Sequence, residues 1–127
     1  MRQESMRSRV FLSYRVSADA ALVETLYYQL LARGVDVWWD KKCLQPGMPW
    51  EEGFADGLLS SQIFVPVLSK DALAPFLLLD GASRCDNVLL EFRLALELKA
   101  RGVLKAIFPI FVGDRLRWPR LGLRRFL

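Results

Sequence analysis

The chain has 127 residues, enough for one domain with its own core, and 53% of them are hydrophobic, which suggests strands buried on both faces. It contains no histidine, which excludes Ser-His-Asp and Cys-His nucleophiles and the common histidine-bearing metal sites. The net charge of +4 sits at the ends: residues 1–9 carry three arginines against one glutamate and residues 115–127 carry five arginines and no acid, which leaves 10 basic and 13 acidic residues for the body and argues against a nucleic-acid surface.

Residues 1–8 read as a flexible N-terminal segment without the apolar core of a secretory signal. No run reaches the roughly 18 apolar residues of a membrane span. Cys43 and Cys85 lack metal-ligand spacing, so the chain is expected to be cytoplasmic, with reduced thiols and no membrane partner.

"RVFLS" (9–13) reads as a short buried strand and "YRVSAD" as the loop leaving it. Ala21, Leu22, Leu26, Gln29, Leu30 and Arg33 recur at helical spacing, which predicts a helix over about 18–33 with Gly34 at its end. "VDVWW" (35–39) reads as a second strand, on which Trp38 and Trp39 must face opposite sides and fill the core. "DKKCLQPGMP" (40–49) is a loop with a Pro-Gly turn, where Lys41 and Lys42 read as solvated charges and Cys43 as an ordinary thiol. "WEEGFADGLLSS" is a helix with two acids in its first turn, opened by Trp50, the more credible stacking platform. "QIFVPVLS" (62–69) is a third strand, with Pro66 an awkward guest for a central position. Residues 70–86 are poorly patterned. A helix over about 87–101 closes at Gly102, "LKAIFPIFV" (104–112) is a fourth strand, and "GDRLRWPRLGLRRFL" follows without a pattern.

Strands alternating with helices predict an α/β domain with a parallel sheet, in which ligands bind outside the carboxyl ends of the strands. Tyr14 and Arg15, the 40–49 loop and the first turns of the 87–101 helix all fall on that edge. On that helix Val88, Leu89, Phe92, Leu94, Ala95, Leu96 and Leu98 form an apolar arc, with Arg93, Glu97 and Arg101 opposite. Glu91 falls inside the arc, between Leu98 and Ala95. A carboxylate placed there costs free energy unless it is paired, hydrogen-bonded or open to a cleft. The plain alternative is a helix-start carboxylate stabilised by the macrodipole, by about 0.3–1 kcal/mol. Burial raises its pKa and the helix start lowers it, and the expected balance is an ionised group at neutral pH. Arg15 either contacts a ligand or pairs with Asp40 or Asp19.

In this order, "VFLSYR", "LLARGVDVWWD", "KKCLQPG", "WEEGFADGLLSSQIFVPVLS" and "NVLLE" together resemble a Toll/interleukin-1 receptor (TIR) domain over about residues 9–114. They look closest to its NAD-cleaving branch. The resemblance implies a flavodoxin-like parallel sheet of four to five strands with helices on both faces. It places a TIR domain over 9–127, short of the usual last strand and helix, with an exposed sheet edge. It implies NAD+ as substrate, with no separate cofactor or metal. Nicotinamide is released with ADP-ribose or a cyclic product, in signalling gated by self-association and by other TIR domains. Glu91 maps onto the catalytic glutamate. Substrate contacts fall on Tyr14, Arg15, Asp40, Lys41, Leu44, Trp50 and Asn87, the last standing where the enzymes usually carry tryptophan. The other implied role is a non-enzymatic adaptor that acts by TIR–TIR contact. A phospho-receiver is disfavoured, because the first strand does not end in an acidic pair.

Overall fold

A computed structural model of the chain describes residues 9–44, 46–78 and 86–113. The 1–8 segment, Cys85 and the residues after 113 lie outside the described residues. The elements are β1 (Arg9–Ser13), α1 (Val16–Ala32), β2 (Asp36–Trp38), α2 (Asp40–Cys43), α3 (Trp50–Leu59), β3 (Ile63–Ser69), α4 (Lys70–Leu73), a 3-10 turn (Ala74–Leu78), α5 (Asn87–Ala100), β4 (Ala106–Ile107) and β5 (Ile110–Val112).

All strand pairs are parallel, in the order β2-β1-β3-β4, with β5 also on β3. Alternation along β1 sends Val10, Leu12 and Tyr14 to one face, where Val37, Trp39, Val65 and Val67 join them beneath Val23, Leu26, Tyr27 and Leu30 of α1. Phe11, Trp38 and Phe64 face the other way, against Phe54 and Leu58 of α3 and Ala95 and Leu98 of α5. Helices therefore cover both faces, as a flavodoxin-like α/β fold requires. Trp38 and Trp39 do point to opposite sides. Trp38 stacks on Phe11 at 4.5 Å and 5°, and Trp39 packs on Tyr27 at 4.7 Å.

The strand predicted over 104–112 is broken into β4 and β5, which keep one register on β3: Ile63 lies opposite Ala106 and Val67 opposite Ile110. The cause is Pro66. Phe64 accepts from the Phe108 N–H at 2.9 Å, so by alternation the backbone of residue 66 faces the same neighbour, and proline has no N–H to give it. Pro109, level with Pro66, is tolerated because its missing donor points away from β3, toward the side where no described strand pairs.

Three further boundaries differ from expectation. α1 begins at Val16 and is broken at Asp19 (φ −129°, ψ 19°), whose buried carboxylate accepts the Ser69 hydroxyl at 2.7 Å. The 40–49 loop opens with one helical turn, in which the Cys43 N–H donates to the Trp39 carbonyl at 2.8 Å and the Leu44 N–H to the Asp40 carbonyl at 2.9 Å, while the Asp40 carboxylate accepts the Lys41 N–H at 2.8 Å. The poorly patterned 70–86 stretch holds α4, capped by Ser69, whose hydroxyl accepts the Ala72 N–H at 3.1 Å. Gly34 and Gly102 end α1 and α5 with φ of +81° and +79°, as expected of helix C-terminal glycines. Among the described residues no helix is long and apolar enough to cross a membrane.

Candidate active site

The connection from β1 crosses one face of the sheet and those from β2 and β3 cross the other, so the order reverses between β1 and β3. A crevice opens at such a point, outside the carboxyl ends of the strands. Here it is a cleft of about 410 Å³ lined by Tyr14, Arg15, Val16, Ser17, Asp40, Trp50, Asp86, Asn87, Val88 and Glu91.

Glu91 reaches it from the second turn of α5. The helix is started by Asp86, whose carboxylate accepts the Leu89 N–H at 3.1 Å. Val88, Ala95 and Leu98 bury the face that Glu91 shares, and Glu91 itself is 9% exposed. Leu96, placed in the apolar arc by its sequence position, is instead exposed. The carboxylate accepts the Ser13 hydroxyl at 2.6 Å. Burial, with Asp40 and Asp86 nearby, pushes the Glu91 pKa up to about 8, and the Ser13 hydrogen bond only partly opposes this. The expectation of an ionised group at neutral pH is thus reversed. Glu91 sits one turn beyond the free N–H groups of the helix start, so desolvation outweighs the dipole.

Tyr14 donates to Asp40 at 2.7 Å and accepts the Trp39 indole N–H at 3.0 Å, and burial and Asp40 hold its phenol well above the ordinary range. Arg15 pairs with neither Asp40 nor Asp19. Its guanidinium donates to Asp86 at 2.9 Å and to the Ala72 carbonyl at 2.7 Å, and lies 5.5 Å from the centre of the Phe76 ring. Asp86 is therefore shared: one oxygen caps α5 and the other anchors Arg15. Trp50 lines the cleft with one ring face against Phe54 at 4.2 Å. Asn87 is exposed at the mouth.

Lys41 and Leu44 are placed elsewhere. Lys41 lies 5.8 Å from the centre of the Trp39 ring, and Leu44 packs into the apolar cluster under α3. Ser13 and Asp86 escaped the sequence reading. The available signals were a hydroxyl where the β1 alternation calls for an apolar side chain, and an aspartate immediately before a helix.

A family model described as the TIR domain matches residues 10–127. The chain belongs to the TIR domain family. No curated protein matches the sequence. Among solved structures, the TIR domains of the activated Roq1 resistosome, which recognises the pathogen effector XopQ, are similar at TM-score 0.61 and 22% identity, over 89% of this chain and 63% of that one. A metazoan TIR-STING receptor from C. gigas is similar at TM-score 0.61 and 17% identity, over 83% of this chain and 31% of that one. The chain thus spans less than two thirds of either, and these likenesses concern the fold. In this TIR domain the residues at the carboxyl ends of the strands form an acidic cleft: Asp40, Asp86 and Glu91 line it, and the Arg15 guanidinium is bound to Asp86.

Proposed function

We propose that the cleft cleaves the nicotinamide–ribose bond of NAD+, with Glu91 as the catalytic carboxylate. The observation that carries this reading is the placement of Glu91. It is a buried carboxyl group in the cleft, among acids and with no described basic partner, held by a single hydroxyl. Such a group is costly to fold around and suits a site where positive charge arrives. The nicotinamide leaving group of NAD+ is already cationic, so its departure needs no proton donor. What the reaction needs is a negative charge beside the oxocarbenium-like sugar, which one carboxylate supplies without histidine. Water attack then gives ADP-ribose, and attack from within the molecule gives a cyclic product.

NAD+ is the substrate, bound without a separate cofactor or metal. Arg15, fixed by Asp86 and Ala72, and Trp50, backed by Phe54, frame the nucleotide. Self-association gates the site through the 40–49 loop, which rests on α3: Leu44 and the Met48 sulfur fill the space beside Gly53, where a Cβ would meet them. The working place is the cytoplasm, and the partners are further TIR domains. A second reading, a TIR scaffold without catalysis, draws on Asn87, which puts an amide rather than a ring at the cleft mouth.

Free nicotinamide, followed chromatographically after NAD+ is mixed with purified protein, separates the two readings. Release is expected, with specific activity rising steeply over about a hundredfold range of protein concentration, as a modest association constant implies. NAD+ left intact at every concentration would favour the scaffold.

A further inference from the structure

Two residues beyond Phe11 on β1, the face toward α5 calls for another apolar side chain, and the chain has Ser13 there, at 0% exposure. A hydroxyl in that setting costs free energy unless it is hydrogen-bonded. Its bond goes to Glu91 at 2.6 Å, between residues 78 positions apart in sequence. The backbone of Ser13 is fixed by strand pairing opposite Pro66, so the donor is set by the sheet rather than by a loop.

The other groups around Glu91 do not serve the anion. Asp40, from α2, and Asp86, at the head of α5, both favour its protonated form, and so does burial. The Tyr14 hydroxyl, just beyond β1, donates its hydrogen bond to Asp40. Arg15 gives its N–H groups to Asp86 and Ala72. Among the described residues, the Ser13 hydroxyl is the group that favours the charged carboxylate.

We propose that Ser13 is a positioning residue for Glu91, its hydroxyl holding the carboxylate turned into the cleft and favouring its ionised form; this rests on the reading of Glu91 as the charge that assists NAD+ cleavage. Ser13 touches no reacting atom in this scheme. It acts by setting how much of Glu91 is charged and where that charge points.

The test is Ser13→Ala, read by a carbon-13 NMR titration of the Glu91 carboxyl and by the pH profile of nicotinamide release. Loss of one hydrogen bond to a charged group should move the Glu91 titration up by about one pH unit. The turnover number at neutral pH should fall about tenfold, with KM little changed and the gap closing in alkali. In a Glu91→Gln background the same substitution should cost nothing further, because the two act as a unit. Ser13→Thr, which keeps the hydroxyl, should titrate like the parent and guards against a packing effect. An unmoved Glu91 titration in a folded Ser13→Ala protein would overturn the proposal. A moved titration without nicotinamide release from either protein would uphold the Ser13–Glu91 coupling and remove the reaction assigned to it.

Discussion

Glu91→Gln is expected to lower NAD+ cleavage by at least about a hundredfold, or roughly 2.7 kcal/mol of transition-state stabilisation, while the protein stays folded. Glutamine keeps the size of the side chain, and its carbonyl accepts the Ser13 hydroxyl in the same place. Only the negative charge is lost. The same substitution should stabilise the empty protein in alkali. With the folded-state pKa at about 8 against an ordinary 4.5, the folded protein keeps a proton that the unfolded chain has released. Stability therefore falls as pH rises from the lower value to the upper one, and the loss is complete above it. Glutamine does not titrate, so the variant should match the parent in acid and exceed it by on the order of 5 kcal/mol in alkali. Parallel thermal melts at acid and alkaline pH, with nicotinamide assays on the same samples, read both effects. A folded variant that cleaves NAD+ at the parent rate would remove Glu91 from the chemistry.

Gly57→Ala is expected to destabilise the fold by about 2–3 kcal/mol, on the scale of overpacking in a filled core. A Cβ at this position would lie 2.6 Å from Cε2 and Nε1 of Trp38. That indole is clamped on its other side by Phe11 at 4.5 Å and is 5% exposed, so it has nowhere to withdraw. The opposing gain, alanine for glycine within a helix, is about 1 kcal/mol and does not cover the clash. Gly53, one turn earlier, faces the side chains of Leu44 and Met48, which can move, so its substitution should be milder. The close approach at Gly57 also brings α3 down onto the sheet and sets Trp50 at the rim of the cleft. A drop in Tm on the order of 10 °C is expected. An unchanged or higher Tm would mean that Trp38 has room that the packing does not show.

Much of this arrangement is legible in the sequence because it depends on local periodicity. Alternation placed Trp38 and Trp39 on opposite faces, and helical spacing turned Glu91 toward the sheet between Leu98 and Ala95. Strand-helix alternation put Tyr14, Arg15 and Glu91 at one edge. The parts that escaped depend on contacts between distant residues or on an energy balance. Ser13 and Glu91 are 78 positions apart, and Arg15 and Asp86 are 71 apart, so neither pair has a local signature. The break in the last strand arises from a donor missing in Pro66, on a different strand. The charge state of Glu91 turned on whether desolvation or the helix start prevails, and its burial decided that, which spacing alone does not give. Lys41 and Leu44 show the reverse limit, since proximity in a loop did not bring their side chains into the cleft.

The most direct test of the account is the pH dependence of kcat/KM for nicotinamide release, since this quantity reports the ionisation of the free enzyme. Its logarithm is expected to rise with unit slope through neutral pH and to level off near the Glu91 pKa of about 8, and Glu91→Gln is expected to abolish the inflection. A parent profile that is flat between about pH 6 and 9, or an inflection that survives in Glu91→Gln, would contradict it.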